Sequence, residues 1–290
     1  MESTTESVST QHAVRDRVAQ WKKNGETVAL VPTMGFLHNG HLSLVKHALE
    51  LCDRVVVTIY VNPTQFGAGE DLETYPRDLK GDTEKLAGLG TDLIYFPTTE
   101  ELYPRGAETV VEVTQLPTFL CGKSRPEHFR GVTTICAKLF HIVTPDVAVF
   151  GEKDFQQVQI IRKMVRDLCM NLTIDTVPTG REPDGLALSS RNTYLSTDER
   201  KRACILYRSL VRAQEAVRGG EKDATLLRNT LITSIETAGG IIDYVEIVNE
   251  NTLENVGEIG SNSRAILAVQ FGPARLIDNA PLHRVPTLEN

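Results

Sequence analysis

Six short runs of apolar and β-branched residues, at 27–31, 54–61, 92–96, 109–113, 147–150 and 172–177, punctuate the first part of this 290-residue chain. Between most of them lie stretches of helical periodicity, at 42–51, 81–89, 132–143 and 155–169. Alternation of this kind predicts an α/β fold, a parallel sheet with helices on both faces. In such sheets a ligand lies outside the carboxyl ends of the strands, where the connections diverge. The residues that follow each strand are therefore the first candidates for chemistry.

The pattern changes near residues 178–185. Two helical segments follow, 197–218 and 223–238, separated by Gly219-Gly220. Two alternating runs, 241–248 and 264–269, suit antiparallel strands, and a polar tail ends the chain. The expectation is a sheet domain over 1–179 and a smaller α+β domain over 180–290. Residues 1–10 are polar, lack the apolar segment of a signal peptide, and are expected to fray. No internal repeat is present.

Composition narrows the function classes. A hydrophobic content of 41% and a charged content of 24% are ordinary for a soluble globular protein. A net charge of −7 argues against general nucleic-acid or membrane binding, and no apolar run approaches membrane-spanning length. The five cysteines are scattered, with no Cys-x-x-Cys pair, which suggests reduced, mostly buried thiols and a cytoplasmic protein. Cys121, beside Gly122 and Lys123, is the exception: a loop thiol with no nearby base.

The densest motif follows the first run. Pro32-Thr33-Met34-Gly35-Phe36-Leu37-His38-Asn39-Gly40-His41 leads into a helical pattern at Leu42, Val45 and Leu49. A helix N-terminus presents unpaired N–H groups and a positive dipole end, which suits phosphate. Two imidazoles beside it can donate to phosphoryl oxygens. The plain alternative is a capping loop with exposed histidines, but a pair at a strand-to-helix junction favours a nucleotide site. Three further segments fall at strand ends. Asn62 to Phe66 includes Gln65, whose uncharged amide both donates and accepts, and Gln157 follows another strand. Gly151-Glu152-Lys153-Asp154 places a lysine where it reads either as a solvated surface charge or as a triphosphate contact. Ser189-Ser190-Arg191-Asn192 offers two hydroxyls, a guanidinium and an amide just upstream of Ser196 and Glu199, which form their own capping box. No catalytic triad, isolated carboxylate pair or zinc spacing stands out. Groups that bind charge point to phosphoryl or nucleotidyl chemistry, which depends on positioning and electrostatics.

Taken with Tyr75-Pro76-Arg77, His128-Phe129-Arg130-Gly131 and Leu188-Ser189-Ser190-Arg191-Asn192, these segments resemble the pantothenate synthetase (pantoate–β-alanine ligase) family, in order and most densely between residues 27 and 196. His-x-Gly-His alone would indicate only the wider nucleotidylyltransferase superfamily. The resemblance implies a Rossmann-like N-terminal domain, a smaller C-terminal lid domain and a homodimer. It implies condensation of (R)-pantoate with β-alanine at the expense of ATP, through a pantoyl-adenylate, with Mg²⁺ bound to the ATP phosphates and no residue assigned as a metal ligand. By matching position, Pro32 to His41, Gly151 to Asp154, Gly180 and Leu188 to Arg191 would bind ATP. His38, His41, Lys153, Ser189, Ser190 and Arg191 would be catalytic. Gln65 and Gln157 would hold pantoate, with Asn62 beside the departing phosphates. Asp82 is either an indirect contributor to the metal or a helix N-terminal charge. Gly180 replaces a more usual apolar residue, and Phe36 and Asn39 stand at variable positions. Two other functions compete: a nucleotidylyltransferase whose product retains the nucleotide, and a nucleotide sensor without turnover.

Overall fold

The computed structural model describes residues 5–282, which fall into two compact units. One takes the described residues up to Pro117, with Arg125–Glu152 and Gln157–Pro178. The other takes Thr118–Ser124, Lys153–Gln156 and the described residues from Thr179 onward. The two short insertions in the second unit, one of them carrying Lys153, have no signature in the sequence pattern.

The first unit is a six-stranded parallel sheet. Its strands are β1 (Glu6–Val8), β2 (Val28–Thr33), β3 (Arg54–Ile59), β4 (Leu93–Tyr95), β5 (Val147–Gly151) and β6 (Thr173–Val177), in spatial order β1-β4-β3-β2-β5-β6. Helices α1 (Gln11–Lys23), α2 (Asn39–Leu51), α3 (Leu79–Leu89), α4 (Thr99–Leu102), α6 (His128–Val143) and most of α7 (Phe155–Asp167) belong with it. The short α5 (Cys121–Ser124) belongs to the other unit. Successive strand residues point to opposite faces, and both faces are apolar. Val28, Leu30, Val56, Leu93, Tyr95, Ala148 and Phe150 share one cluster with α1, α6 and α7. Ala29, Val31, Val55, Val57, Ile94 and Val149 share another with α2 and α3. Connections leave β2 toward β3 on one side, while β5 flanks its other side, so the order reverses between β2 and β5. That is where a doubly wound sheet places its ligand.

The second unit packs α8 (Thr197–Ala203), α9 (Ile205–Arg218) and α10 (Ala224–Thr237) with an antiparallel sheet of β7 (Ile241–Asn249), β8 (Ser263–Phe271) and β9 (Ala274–Pro281). Among the described residues no helix is long and apolar enough to cross a membrane.

Several sequence expectations need correction. The run 109–113 is not a strand: the backbone N–H of Val111 donates to Thr134 Oγ1 and its carbonyl accepts from Thr133 Oγ1, so two α6 hydroxyls take the place of a ladder. Within the supposedly frayed start, Glu6–Val8 pairs in register with Leu93–Tyr95, and Thr10 caps α1; residues 1–4 lie outside the described residues. The supposedly polar tail contains β9, joined to β8 by the two-residue Gly272-Pro273 turn with Gly272 at φ +53°; residues 283–290 lie outside the described residues. The segment 197–218 is two helices, broken at Cys204. Cys121 is buried in α5 rather than exposed in a loop, and Cys169 is the exposed thiol; all five cysteines are free.

One close approach sets the position of the loop after β3. A Cβ on Gly131 would lie 2.3 Å from the Thr64 carbonyl oxygen and 2.6 Å from the Gln65 nitrogen. Both are backbone atoms and neither yields easily. Gly131→Ala is expected to cost about 1–3 kcal/mol of stability, read as a lower chemical-denaturation midpoint at unchanged slope. An unchanged midpoint would show that α6 does not press on this loop.

Candidate active site

The loop from β2 to α2 turns through two left-handed residues, Gly35 (φ +80°) and Phe36 (φ +51°). A Cβ on Gly35 would meet Ile59 Cγ2 at 2.9 Å and Asp82 Oδ2 at 3.1 Å, so glycine is required there. Phe36 has no such freedom and must be held. The buried Asp82 carboxylate holds it, accepting the backbone N–H of Phe36 through Oδ2 and of Leu37 through Oδ1, each at 2.7 Å. Lys85 donates to the Leu37 carbonyl at 2.9 Å and lies 3.8 Å from Asp82 Oδ1. At the root of the loop, Thr33 Oγ1 donates to the Thr58 carbonyl and accepts from Gly35 N–H, tying together the ends of β2 and β3.

The two histidines then cap α2. His38 Nδ1 accepts from Gly40 N–H at 3.1 Å, and His41 Nδ1 accepts from His38 N–H at 3.3 Å, a capping box built from imidazoles. A ring nitrogen that accepts is unprotonated, so a neutral ring carries its proton on Nε2. The ring centroids are 4.0 Å apart. Each histidine thus satisfies an orphan N–H of the helix while turning an N–H donor edge the other way. Asn39 between them is exposed.

Beyond β3, Asn62 is buried and engages both ends of its amide. Its Nδ2 donates to the Gly131 carbonyl and to Gln65 Oε1, and its Oδ1 accepts from Tyr103 Oη and Thr64 Oγ1. What Asn62 determines is therefore the position of Gln65. Gln65 Nε2 in turn donates to Met34 Sδ at 3.1 Å, joining this loop to the histidine motif. The Gln65 carbonyl contacts His128 Nδ1 and accepts from Arg125 Nη2, and Arg125 pairs with Glu70. Burial pushes the Tyr103 hydroxyl up to about 12, so it stays a donor to Asn62 across the working range. Gln157 lies on α7, partly buried; Gly151 pairs with Val177 at the end of β5, and Glu152 accepts from Thr176 Oγ1.

The second unit carries the other expected residues. Lys153 sits in a 3₁₀ turn, partly buried. Burial lowers its ammonium pKa, Arg191 pushes the same way, and Asp154 and Asp278 pull it back up. The solvated-lysine reading therefore does not describe it. Ser189 Oγ accepts from Arg191 N–H and caps the 3₁₀ helix Ser190–Tyr194, with Ser190 buried. Leu188 N–H donates to the Gly180 carbonyl, closing a small ribbon bridged at Arg181 and Ala187. The Ser196–Glu199 capping box is present as expected.

Residues that positional reasoning passed over do much of the holding: Tyr103, Arg125 and His128 around Asn62 and Gln65. The His128 to Gly131 motif was visible, but nothing in sequence connects it to the Gln65 carbonyl. Among the described residues no group of three or more His, Cys, Asp or Glu side chains is arranged to hold a metal.

A family model for pantoate-beta-alanine ligase matches residues 6–281. The chain belongs to that family. Pantothenate synthetase of Acetivibrio thermocellus is 54% identical over 259 residues, 89% of this chain and 92% of that protein. That of Pelotomaculum thermopropionicum is 50% identical over 270 residues, 93% and 96% of the two chains. The crystal structure of pantothenate synthetase from Thermus thermophilus superposes with a TM-score of 0.92 at 42% identity, covering 96% of this chain and all of that one. The pantoate-beta-alanine ligase of Francisella tularensis, solved with beta-gamma ATP and beta-alanine, gives 0.81 at 34% identity, covering 98% and 100%. As a pantoate–β-alanine ligase the chain forms a carbon–nitrogen bond, and the ligase, α/β and pantothenate-biosynthesis expectations stand.

Asp82 is the residue this geometry isolates in the first unit. Asp82→Asn keeps the shape but replaces one acceptor with a donor facing an N–H. It is expected to lower stability by about 1–3 kcal/mol and to raise the KM for the nucleotide, measured by denaturation and steady-state kinetics. Unchanged values of both would show that the corner holds itself.

Proposed function

We propose that the pantoate carboxylate attacks the α-phosphorus of ATP, releasing pyrophosphate, and that the β-alanine amine then attacks the acyl carbon of the pantoyl-adenylate, releasing AMP. The observation that carries this reading is the imidazole capping box, which orients two Nε2–H donors at the positive end of α2. An array of donors and cations without a protein nucleophile suits a reaction between two anions. The barrier lies in bringing the carboxylate to a negatively charged triphosphate and in stabilising the charge that builds on pyrophosphate.

In this reading Pro32 to His41 line the nucleotide, with His38 and His41 at the phosphates. Lys153, Ser189, Ser190 and Arg191 serve the phosphates, and Gly151, Glu152, Asp154, Gly180 and Leu188 complete the nucleotide contacts. Gln65 and Gln157 hold pantoate, Gln65 through the position that Asn62 and Met34 give it. The second unit acts as a lid that keeps water from the mixed anhydride, which would otherwise hydrolyse. On the family resemblance, Mg²⁺ would arrive bound to the triphosphate. When bound it offsets phosphate charge. A cytoplasmic homodimer completes the reading, on the family resemblance.

Two measurements test it. Exchange of labelled pyrophosphate into ATP is expected to require pantoate and not β-alanine; absence of that exchange in protein that makes pantothenate would overturn release of pyrophosphate before β-alanine arrives. Lys153→Ala is expected to slow adenylate formation on the order of 10²-fold or more. Because burial lowers the Lys153 pKa, the alkaline limb of kcat/KM should fall below the ordinary lysine range. Lys153→Arg, charged throughout, should lose that limb; a limb that persists assigns it to another group.

A further inference from the structure

The second unit buries polar side chains that the reaction outlined above does not use. Arg264 and Asn279 are only 5% and 4% exposed and lie on the neighbouring strands β8 and β9. Burying a guanidinium in a small sheet is costly unless its donors are matched, and apolar residues would serve stability as well. Here the polar groups converge on one target. Asn279 Nδ2 donates to the Lys153 carbonyl at 3.0 Å. Arg264 Nη1 donates to Asn279 Oδ1, which fixes the amide so that its nitrogen faces Lys153. Arg264 Nε donates to Glu250 Oε1 at 2.9 Å, and its guanidinium stacks 4.0 Å from the Phe155 ring centroid, two residues after Lys153.

A third buried residue grips the far end of the same turn. Gln156 Nε2 donates to the Phe119 carbonyl at 2.8 Å, and Gln156 Oε1 accepts from Cys121 N–H at 3.0 Å. The neighbouring Asp278, also buried, accepts from Arg181 and from the Asn279 backbone N–H. The Lys153–Gln156 turn is thus held by backbone, ring and amide contacts from β8, β9, Phe119 and the first residue of α5. That accounts for its grouping with the second unit.

We propose that Asn279, aligned by Arg264, is a positioning residue for adenylate formation, setting where the Lys153 backbone and hence its ammonium stand. The proposal rests on the reading that Lys153 serves the ATP phosphates. A lysine side chain is flexible, but the volume it reaches is fixed by its Cα. Displacement of a catalytic group by about 1 Å can cost on the order of 10²-fold in rate. Asn279 touches no substrate in this account and acts only through Lys153.

The test is a double-mutant cycle on single-turnover pyrophosphate release from ATP and pantoate, without β-alanine, in the full-length protein. Asn279→Asp keeps the shape and the acceptor for Arg264 but sets a carboxylate oxygen against the Lys153 carbonyl. It is expected to slow release about tenfold or more in the parent, and by less than roughly twofold in Lys153→Ala. Arg264→Lys, which keeps the charge but loses the stacked fork, should show the same coupling and serves if Asn279→Asp loses its folded circular-dichroism spectrum. Equal losses in both backgrounds, or no loss in the parent, would overturn the positioning role, since a merely structural defect slows both alike. An unchanged rate for Lys153→Ala alone would instead remove Lys153 from the function on which the proposal rests.

Discussion

A carboxylate with almost no access to water, that of Asp82, accepts two consecutive backbone N–H groups from Phe36 and Leu37. The histidine motif depends on that contact. Phe36 occupies a left-handed conformation that a bulky side chain rarely adopts. It persists because the surroundings over-determine it: Gly35 has no room for a Cβ, Thr33 anchors the strand end, and Lys85 draws in the Leu37 carbonyl. Only after the chain has turned this corner can α2 begin at Asn39 with its first N–H groups meeting imidazole nitrogens. The tautomer of the two rings is therefore a consequence of the loop, and the loop a consequence of one carboxylate on α3.

A second chain of dependence runs through Asn62. Its amide is committed on every side, to α6, to Tyr103, to Thr64 and to Gln65. Buried polar groups with all their partners rigidify what they touch. The Gln65 amide consequently has a fixed place beside Met34, at the end of the neighbouring strand. Because β2 and β3 are parallel and adjacent, both loops leave the sheet at the same edge. The topology brings them together, and the hydrogen bonds set the spacing.

Much of this was legible in the amino-acid sequence, and the exceptions have causes. The buried strands showed because both faces of a parallel sheet are apolar, so 54–61 and 147–150 read as near-continuous runs. The stretch 109–113 has the same local signal but finds its partners on α6 threonines 22 and 23 residues away, which no local pattern encodes. Conversely β1 is three residues long and β9 mixes Arg275, Asp278 and Asn279 with Leu276 and Ala280, so neither has a clean period. At the site, residue types announced anion binding, but the roles did not follow from types. Asn62 reads as a contact beside the phosphates, and nothing in its residue type announces that it also braces Gln65, Tyr103 and the Gly131 carbonyl. The two histidines read either as capping or as phosphate donors; their geometry realises the first, and the proposed reaction builds the second on it.

The same logic explains why Lys153 is held half out of water. An exposed lysine is fully solvated, and a polyanion must strip that solvation to gain its attraction. Lys153 has already lost much of it, which is why burial lowers its pKa, and the Arg191 charge adds to the strain. Asp154 and Asp278 offset part of that penalty and favour the ammonium. In the proposed reaction a bound triphosphate relieves both the desolvation and the repulsion at once, and charge gathering on the departing pyrophosphate relieves them further. A cation arranged in this way binds the developing anion more strongly than the ground state, which is the condition for it to accelerate the step rather than merely to hold the nucleotide.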